Sequence, residues 1–274
     1  MRALPATVLA VCGLIASACG GTGTGGAAAG QAAPATTAGQ APAAAQAKDA
    51  PPEAKPLDGK VVVIDPGHNG GNYRAPKEIN RKVNVLTQMK ACDTTGTSTN
   101  DGYSEAAFTW DVSKRLQKIL KKRGATVKLT RSSNDGVGPC ITERAAIGNK
   151  AKADAAISVH ADGSAPANRG FHVIMPKKIK GPVDKVVADS SSLGMAVRDA
   201  FRAGTGLPYS TYIGRKALDY RSDLGGLNLS TVPKIFVECG NMRNATEAAK
   251  FRDPKFRQKI AVALANGLQH YLQA

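Results

Sequence analysis

The sequence predicts one α/β domain, a mixed and mostly parallel sheet of about six strands flanked by helices. Three observations carry this. Short β-branched or small apolar runs at 61–65, 155–160 and 234–241 alternate with helical periods at 105–123, 186–202 and 253–272. No internal repeat is visible. Residues 58–274 are ample for a sizeable core, whereas the first fifth of the chain offers almost nothing to bury.

The elements follow in order. Val61-Val62-Val63-Ile64-Asp65 is a strand stopped by Pro66, so His68 emerges just beyond its carboxyl end. In open α/β sheets that edge is where ligands bind. Residues 69–104 are rich in Gly, Asn, Thr and Ser and read as a long loop, with a short hairpin or strand within 79–89. Phe108, Val112, Leu116, Ile119 and Leu120 recur at helical spacing over 105–123, and Gly124 closes the helix. Residues 125–130 alternate as a strand, and 143–152 form a short helix with Thr142 as N-cap. Strands at 155–160 and 170–175 follow, and they are expected to pair as a hairpin. A helix covers 186–202, residues 207–230 are loop-like with a strand around 212–218, and the strand 234–241 precedes the last helix.

The N-terminal fifth has a different logic. Arg2 is the only charged residue before Lys48, and an apolar segment at 4–15 is followed by small residues. This is the pattern of a secretory signal, here assigned to residues 1–18. Ala16-Ser17-Ala18-Cys19-Gly20 allows ordinary cleavage, and it also resembles a bacterial lipobox in which Cys19 is diacylated. The Ala/Gly/Pro-rich stretch 19–57 cannot offset its ordering entropy and reads as a disordered tether with a reach of roughly 30–40 Å. That tether favours the lipoprotein: an exported envelope protein anchored to the outer face of the cytoplasmic membrane, or else secreted.

The net charge of +16 lies almost wholly in the folded part. There is no series of base-stacking aromatics, so nucleic acid is excluded as partner, and anionic cell-envelope polymers or lipid headgroups fit better. A monomer is expected. Of five cysteines, Cys12 leaves with the signal. Cys92 and Cys140 both lie in polar loop sequence and are expected to pair in an exported protein. Cys239 sits in an apolar strand pattern and is expected to be free and buried.

Three apolar strands each end in a residue able to do chemistry: His68, His160 and Glu238. Glu105 opens a helix three residues before Phe108 and seven before Val112, so it lies on the apolar face. A carboxylate there needs a partner or a metal; capping the helix dipole is the alternative. Two histidines and a carboxylate with an open fourth position form a catalytic zinc set, and the remaining carboxylate serves as general base. Asp65 is a candidate partner for the outer nitrogen of a ligating histidine, or a turn residue beside Pro66. Arg131 and Arg144 are candidates either for binding substrate carboxylates or for bracing the Cys140 loop.

Ile64-Asp65-Pro66-Gly67-His68, Glu105, Ser158-Val159-His160-Ala161-Asp162 and Val237-Glu238-Cys239-Gly240-Asn241 occur in the order seen in zinc-dependent N-acetylmuramoyl-L-alanine amidases. So do Leu129-Thr130-Arg131, Glu143-Arg144 with Asn149, and Asn244-x-x-Glu247. The chain resembles the single-domain mycobacterial and actinobacterial branch of that family most. The resemblance implies a twisted six-stranded sheet, one zinc ion on His68, Glu105 and His160, and Glu238 as catalytic acid/base. It makes Asn241 a further candidate beside the site. It also implies the substrate, peptidoglycan, cut between muramic acid and L-alanine. Cys239 departs from the family, where a hydrophobic residue is commoner. The alternatives are a zinc peptidase cutting within the stem peptide and a catalytically idle wall-binding lipoprotein.

Overall fold

Strands buried on both faces need apolar side chains at successive positions, and the valine run of the first strand supplies them. The structure, a computed structural model, describes residues 54–274. The expected signal, Cys19 and the tether as far as residue 53 lie outside the described residues. In chain order the elements are β1 (Val61–Pro66), a 3-10 turn (Asn72–Arg74), α1 (Pro76–Ile79), β2 (Lys82–Asn84) and β3 (Met89–Ala91). Then come α2 (Glu105–Lys122), β4 (Thr126–Leu129), α3 (Ile141–Lys150), β5 (Ala155–Asp162) and β6 (His172–Pro176). A second 3-10 turn (Pro182–Val186) leads to α4 (Val187–Thr205), β7 (Leu218–Arg221), α5 (Gly225–Asn228), β8 (Lys234–Asn241), α6 (Ala245–Arg252) and α7 (Pro254–Gln273).

Six strands form one sheet in the order β4-β1-β5-β8-β6-β7, and β2 and β3 form a separate hairpin. β4, β1, β5 and β8 run parallel, while β6 is antiparallel to β8. The mixed, mostly parallel sheet is as expected. The pairing of β5 with β6 is not: β1 and β8 already occupy both edges of β5, so β6 joins the free edge of β8 instead.

Alternation along each strand divides the chemistry between two faces. Val62, Ile64, Ile157, Val159, Ile235, Val237 and Cys239 face the main core, which holds Phe108, Leu116, Val197, Phe201, Leu264 and Leu268 from α2, α4 and α7. Each such fully buried side chain contributes about 1.5–3 kcal/mol of transfer free energy. Cys239 is free and buried there, as expected, facing away from its neighbour Glu238. The opposite face carries Asp65, Ser158, His160, Lys234, Phe236 and Glu238, under the shorter helices α3 and α5.

Several boundaries differ from expectation. Leu57, assigned to the tether by composition, is fully buried in the main core, and its N–H donates to the Arg123 carbonyl at 2.8 Å. Residues 69–104 are an ordered subdomain rather than an open loop, because Val83, Val85, Cys92, Cys140 and Ile141 form a small core of their own. The Cys92–Cys140 disulfide closes it. α3 starts ahead of Thr142, with the Cys140 N–H donating to the Glu143 carboxylate at 3.3 Å. The strand expected at 212–218 lies at β7 instead, since Gly214, Lys216 and Ala217 take positive φ and turn the chain.

Candidate metal centre

β1, β5 and β8 end side by side, and their register brings the candidate residues together. His160 is the direct neighbour of Glu238 across the β5–β8 ladder. His68 follows the Pro66-Gly67 exit of β1 with a φ of 56°, a left-handed turn that sends its ring back over the sheet edge. Gly67 makes room: a Cβ there would stand 2.3 Å from the His160 ring.

Glu105 begins α2, capped by Ser104, whose hydroxyl accepts the Ala107 N–H at 3.3 Å. Helix capping therefore falls to Ser104 and leaves the Glu105 carboxylate free for the site. Its Oε2 lies 3.1 Å from His68 Nε2 and its Oε1 lies 3.0 Å from His160 Nδ1. The same oxygens accept the backbone N–H groups of Thr97 at 2.9 Å and Ala161 at 3.2 Å. One donor atom from each of His68, Glu105 and His160 falls within 4.8 Å of the others, a cluster able to hold a metal ion. Burial opposes the Glu105 charge, but the two histidines hold its pKa well below the usual carboxylate range. Burial also opposes a charged His68, yet Glu105 outweighs it and raises the pKa of that ring.

The donor set fits a divalent metal on its chemistry. The inward nitrogens of both rings converge on a single carboxylate, which is how three ligands stand before a shared ion. The outer nitrogen of His68 is fixed by the Thr94 carbonyl at 3.1 Å, with Asp93 Oδ1 at 3.8 Å. Such a partner orients a ligating imidazole and sets its tautomer. His160 stacks on Phe236 with ring centroids 5.2 Å apart.

Glu238 forms the wall of a cleft of about 400 Å³ that is also lined by His68, Glu105, His160, Asp162 and Arg221. Its Oε2 is buried without a hydrogen-bond partner among the described residues. Burial first, then the nearby charges of Glu105 and Asp162, push its pKa well above the ordinary value. A carboxylate in that state binds a proton readily and is suited to acid/base work.

Asp65 does not touch either histidine. It accepts from Thr130 Oγ1 at 2.6 Å and from Ser158 Oγ, and it pairs with Arg144 at 2.9 Å and Lys234 at 3.0 Å. Strand alternation points it under α3, and the Pro66-Gly67 turn then separates it from His68. The group that approaches the outer face of His68 is Asp93, which sequence reasoning missed; its one signal was its place directly after Cys92. Arg144 and Arg131 do not wait for substrate carboxylates either, because both are buried and their donors are used. Arg144 donates to Asp65, Asp93 at 2.9 Å, and the carbonyls of Pro66 at 2.8 Å, His68 at 3.0 Å and Pro139 at 2.8 Å. It thus ties the Cys140 loop and the exit of β1 together. Arg131 donates to the Pro66 carbonyl at 3.1 Å and the Ala106 carbonyl at 3.0 Å, joining β1 to the first turn of α2. Burial lowers its pKa to about 9. Asn241 is a clamp rather than a metal-site partner: its Nδ2 donates to the carbonyls of Ala165 at 3.0 Å and Asn168 at 2.8 Å, and its Oδ1 accepts from Ser164 N at 3.0 Å.

Comparison with known proteins agrees with this architecture. The family model described as N-acetylmuramoyl-L-alanine amidase matches residues 62–270. The N-acetylmuramoyl-L-alanine amidase Rv3717 of Mycobacterium tuberculosis is 40% identical over 218 residues, which are 79% of this chain and 88% of that protein. The crystal structure of the N-acetylmuramyl-L-alanine amidase Ami1 of Mycobacterium smegmatis superposes with a TM-score of 0.74 at 39% identity, covering 79% of this chain and 98% of that one. Ami1 of Mycobacterium abscessus in its apo form gives 0.74 at 40% identity, covering 79% of this chain and all of that one (100%). With the match spanning the sheet, the cleft and all four candidate residues, the chain belongs to the N-acetylmuramoyl-L-alanine amidase family.

Proposed function

We propose that the protein is a zinc-dependent amidase that hydrolyses the bond between N-acetylmuramic acid and L-alanine in peptidoglycan, and that it works on the cell wall after export. The observation that carries the reading is one carboxylate shared by two imidazoles beside a second, unpartnered carboxylate. Family membership supports the reaction. Two histidines and one carboxylate favour zinc, which uses that set with an open position in hydrolases.

His68, Glu105 and His160 hold the metal. When bound, such an ion polarises the scissile carbonyl and acidifies a water molecule. Glu238 would take a proton from the attacking water and give it to the alanine nitrogen as the bond breaks. Its raised pKa suits it to take up a proton and then give it back. Thr94 and Asp93 keep the inner nitrogen of His68 aimed at the site. Arg144, by gripping Asp93 and the His68 carbonyl, keeps that arrangement rigid. Acylation of Cys19 would hold the enzyme at the outer face of the cytoplasmic membrane, with residues 20–53 spanning part of the gap to the wall.

The test is Glu238→Ala on purified sacculi, with products read by mass spectrometry and metal content by elemental analysis. Free muramoyl ends should disappear while the zinc content is unchanged. Digestion at the parental rate would remove Glu238 from the mechanism. New amino ends within the stem peptide, in place of free muramoyl ends, would make the parent a peptidase. A metal other than zinc in the active preparation would overturn the zinc assignment alone.

A further inference from the structure

Six lysines gather at the pole of the domain opposite the cleft. The cleft lies at the carboxyl ends of β1, β5 and β8. α2 starts there with Glu105 and runs 18 residues, about 27 Å, to the far side, where it ends in Lys121 and Lys122. The same pole collects Lys55 and Lys60 from the segment entering β1, and Lys150 and Lys152 from the end of α3. Backbone hydrogen bonds join these turns into one surface. Leu57 N–H donates to the Arg123 carbonyl at 2.8 Å, Thr126 N–H to the Lys60 carbonyl at 2.8 Å, and Asp154 N–H to the Val61 carbonyl at 2.9 Å.

Among the described residues, none of these six lysines is in an ion pair. Lys60 is half-buried and the other five are exposed. Two acids on this pole are engaged with the backbone, Asp58 accepting the Lys55 N–H at 2.6 Å and Asp154 the Val61 N–H at 2.7 Å, while exposed Asp189 at the start of α4 shares the neighbourhood of Tyr271 with Asp154. Complementing the helix dipole accounts for lysines at the ends of α2 and α3. It does not account for Lys55 and Lys60, which belong to neither helix. The described domain begins at this pole, so the preceding 53 residues, which carry the candidate signal and Cys19, join the fold in the middle of the lysine cluster.

We propose that this lysine pole docks on an anionic lipid surface and so turns the cleft outward, away from the membrane and toward the wall. The entry of the N-terminal segment at the cationic pole argues for lipid over a wall polymer. A surface for gripping substrate polymer would be expected beside the cleft, whereas this one is separated from it by the length of α2. The inference goes beyond the proposed reaction and does not need Cys19 to be acylated. Each lysine held near an anionic membrane adds about fivefold to partitioning, and salt screens the effect.

The experiment is vesicle co-sedimentation of the full chain carrying Cys19→Ala, so that no acyl group contributes. The vesicles are phosphatidylcholine alone or an equal mixture with phosphatidylglycerol. The variant is Lys121→Gln/Lys122→Gln/Lys150→Gln. A control, Lys255→Gln/Lys259→Gln, removes charge from the start of α7, at the other end of that helix from Gln273, whose side chain reaches the Pro56 carbonyl at 3.2 Å. Matched comparison cancels any vesicle affinity of residues 4–15. The parent and the control should bind the anionic vesicles equally. The triple variant should bind them about a hundredfold more weakly, and all three should cleave soluble muropeptide at the same rate. Equal binding of parent and triple variant, or no preference of the parent for anionic over neutral vesicles, would overturn the proposal. So would tighter binding of the parent to a soluble phosphate-rich wall polymer, lost in the same triple variant. Loss of amidase activity in the parent would instead count against the proposed reaction and leave this test standing.

Discussion

Arg144→Met asks whether the buried charge network behind the metal centre holds the site in place. Arg144 is 4% exposed and meets two buried carboxylates, Asp65 and Asp93, which are 2% and 5% exposed. Lys234, 2% exposed, is the second cation against Asp65. Direct contacts therefore set two buried acids against two buried bases, with Arg131, also buried, close to both acids. Methionine fills much of the space but leaves one acid uncompensated and strips the Pro66, His68 and Pro139 carbonyls of a donor. Removing one partner of a buried pair costs about 3–5 kcal/mol. For a domain of this size that corresponds to a fall in Tm on the order of 10 °C. The deficit should also depend on pH. Lys234 and Arg144 outweigh burial and hold the Asp65 pKa well below 3.8. In the parent this carboxylate adds stability above the unfolded pKa and loses it as pH falls through the folded one. In the variant the uncompensated acid gains a raised pKa and takes up a proton on acidification, so the difference between the two proteins shrinks from pH 7 toward pH 4. Urea denaturation at both pH values, with zinc content measured in parallel, reads it. A deficit below about 1 kcal/mol at pH 7, or one that is constant with pH, would refute the network argument.

Two further outcomes follow from single positions. Gly67→Ala should cut zinc affinity at least tenfold with little change in secondary structure, because the new methyl must displace the His160 ring; full metal retention in equilibrium dialysis would show that the ring has room to move. Burial lowers the His172 pKa to about 4 from 6.5. The unfolded chain then binds the extra proton between those values, and stability falls as pH drops from 6.5 toward 4 by about 3 kcal/mol at most. His172→Phe should flatten that part of the curve relative to the parent, and an identical slope in urea titrations would contradict it.

What the sequence made legible depended on chemistry confined to short stretches. β1, β5 and β8 were recognisable from runs of apolar residues, and their terminal His68, His160 and Glu238 followed without any knowledge of pairing. Glu105 was legible because a carboxylate on an apolar helix face has few stable explanations. Contacts between distant residues were not legible. Asp93 and Arg144 are 51 positions apart in sequence, and they meet only because the 69–104 segment folds on its own small core and is closed by Cys92–Cys140. Without that closure Asp65 is the acid nearest His68 in sequence, which is why it stands out there as the candidate partner. α6 was missed for a local reason. It is short, buries only Glu247 and Phe251, and is set by the Asn244 cap at 3.2 Å from the Glu247 N–H rather than by an apolar stripe.

The position of Glu238 shows why strand pairing matters more than strand identity here. Glu238 is opposite His160 on β5 and opposite His172 on β6. Had β6 paired with β5 as a hairpin, β8 would have lost its place beside β5, and Glu238 would not stand next to a metal ligand. Because β5 lies between β1 and β8, alternation sends His160 and Glu238 to the same face while Val237 and Cys239 enter the core. The ladder thus separates the two acidic roles. Glu105 arrives from a helix and is neutralised by both rings. Glu238 arrives from a strand, makes no ion pair among the described residues although Arg221 lines the same cleft, and keeps the raised proton affinity that the proposed hydrolysis requires.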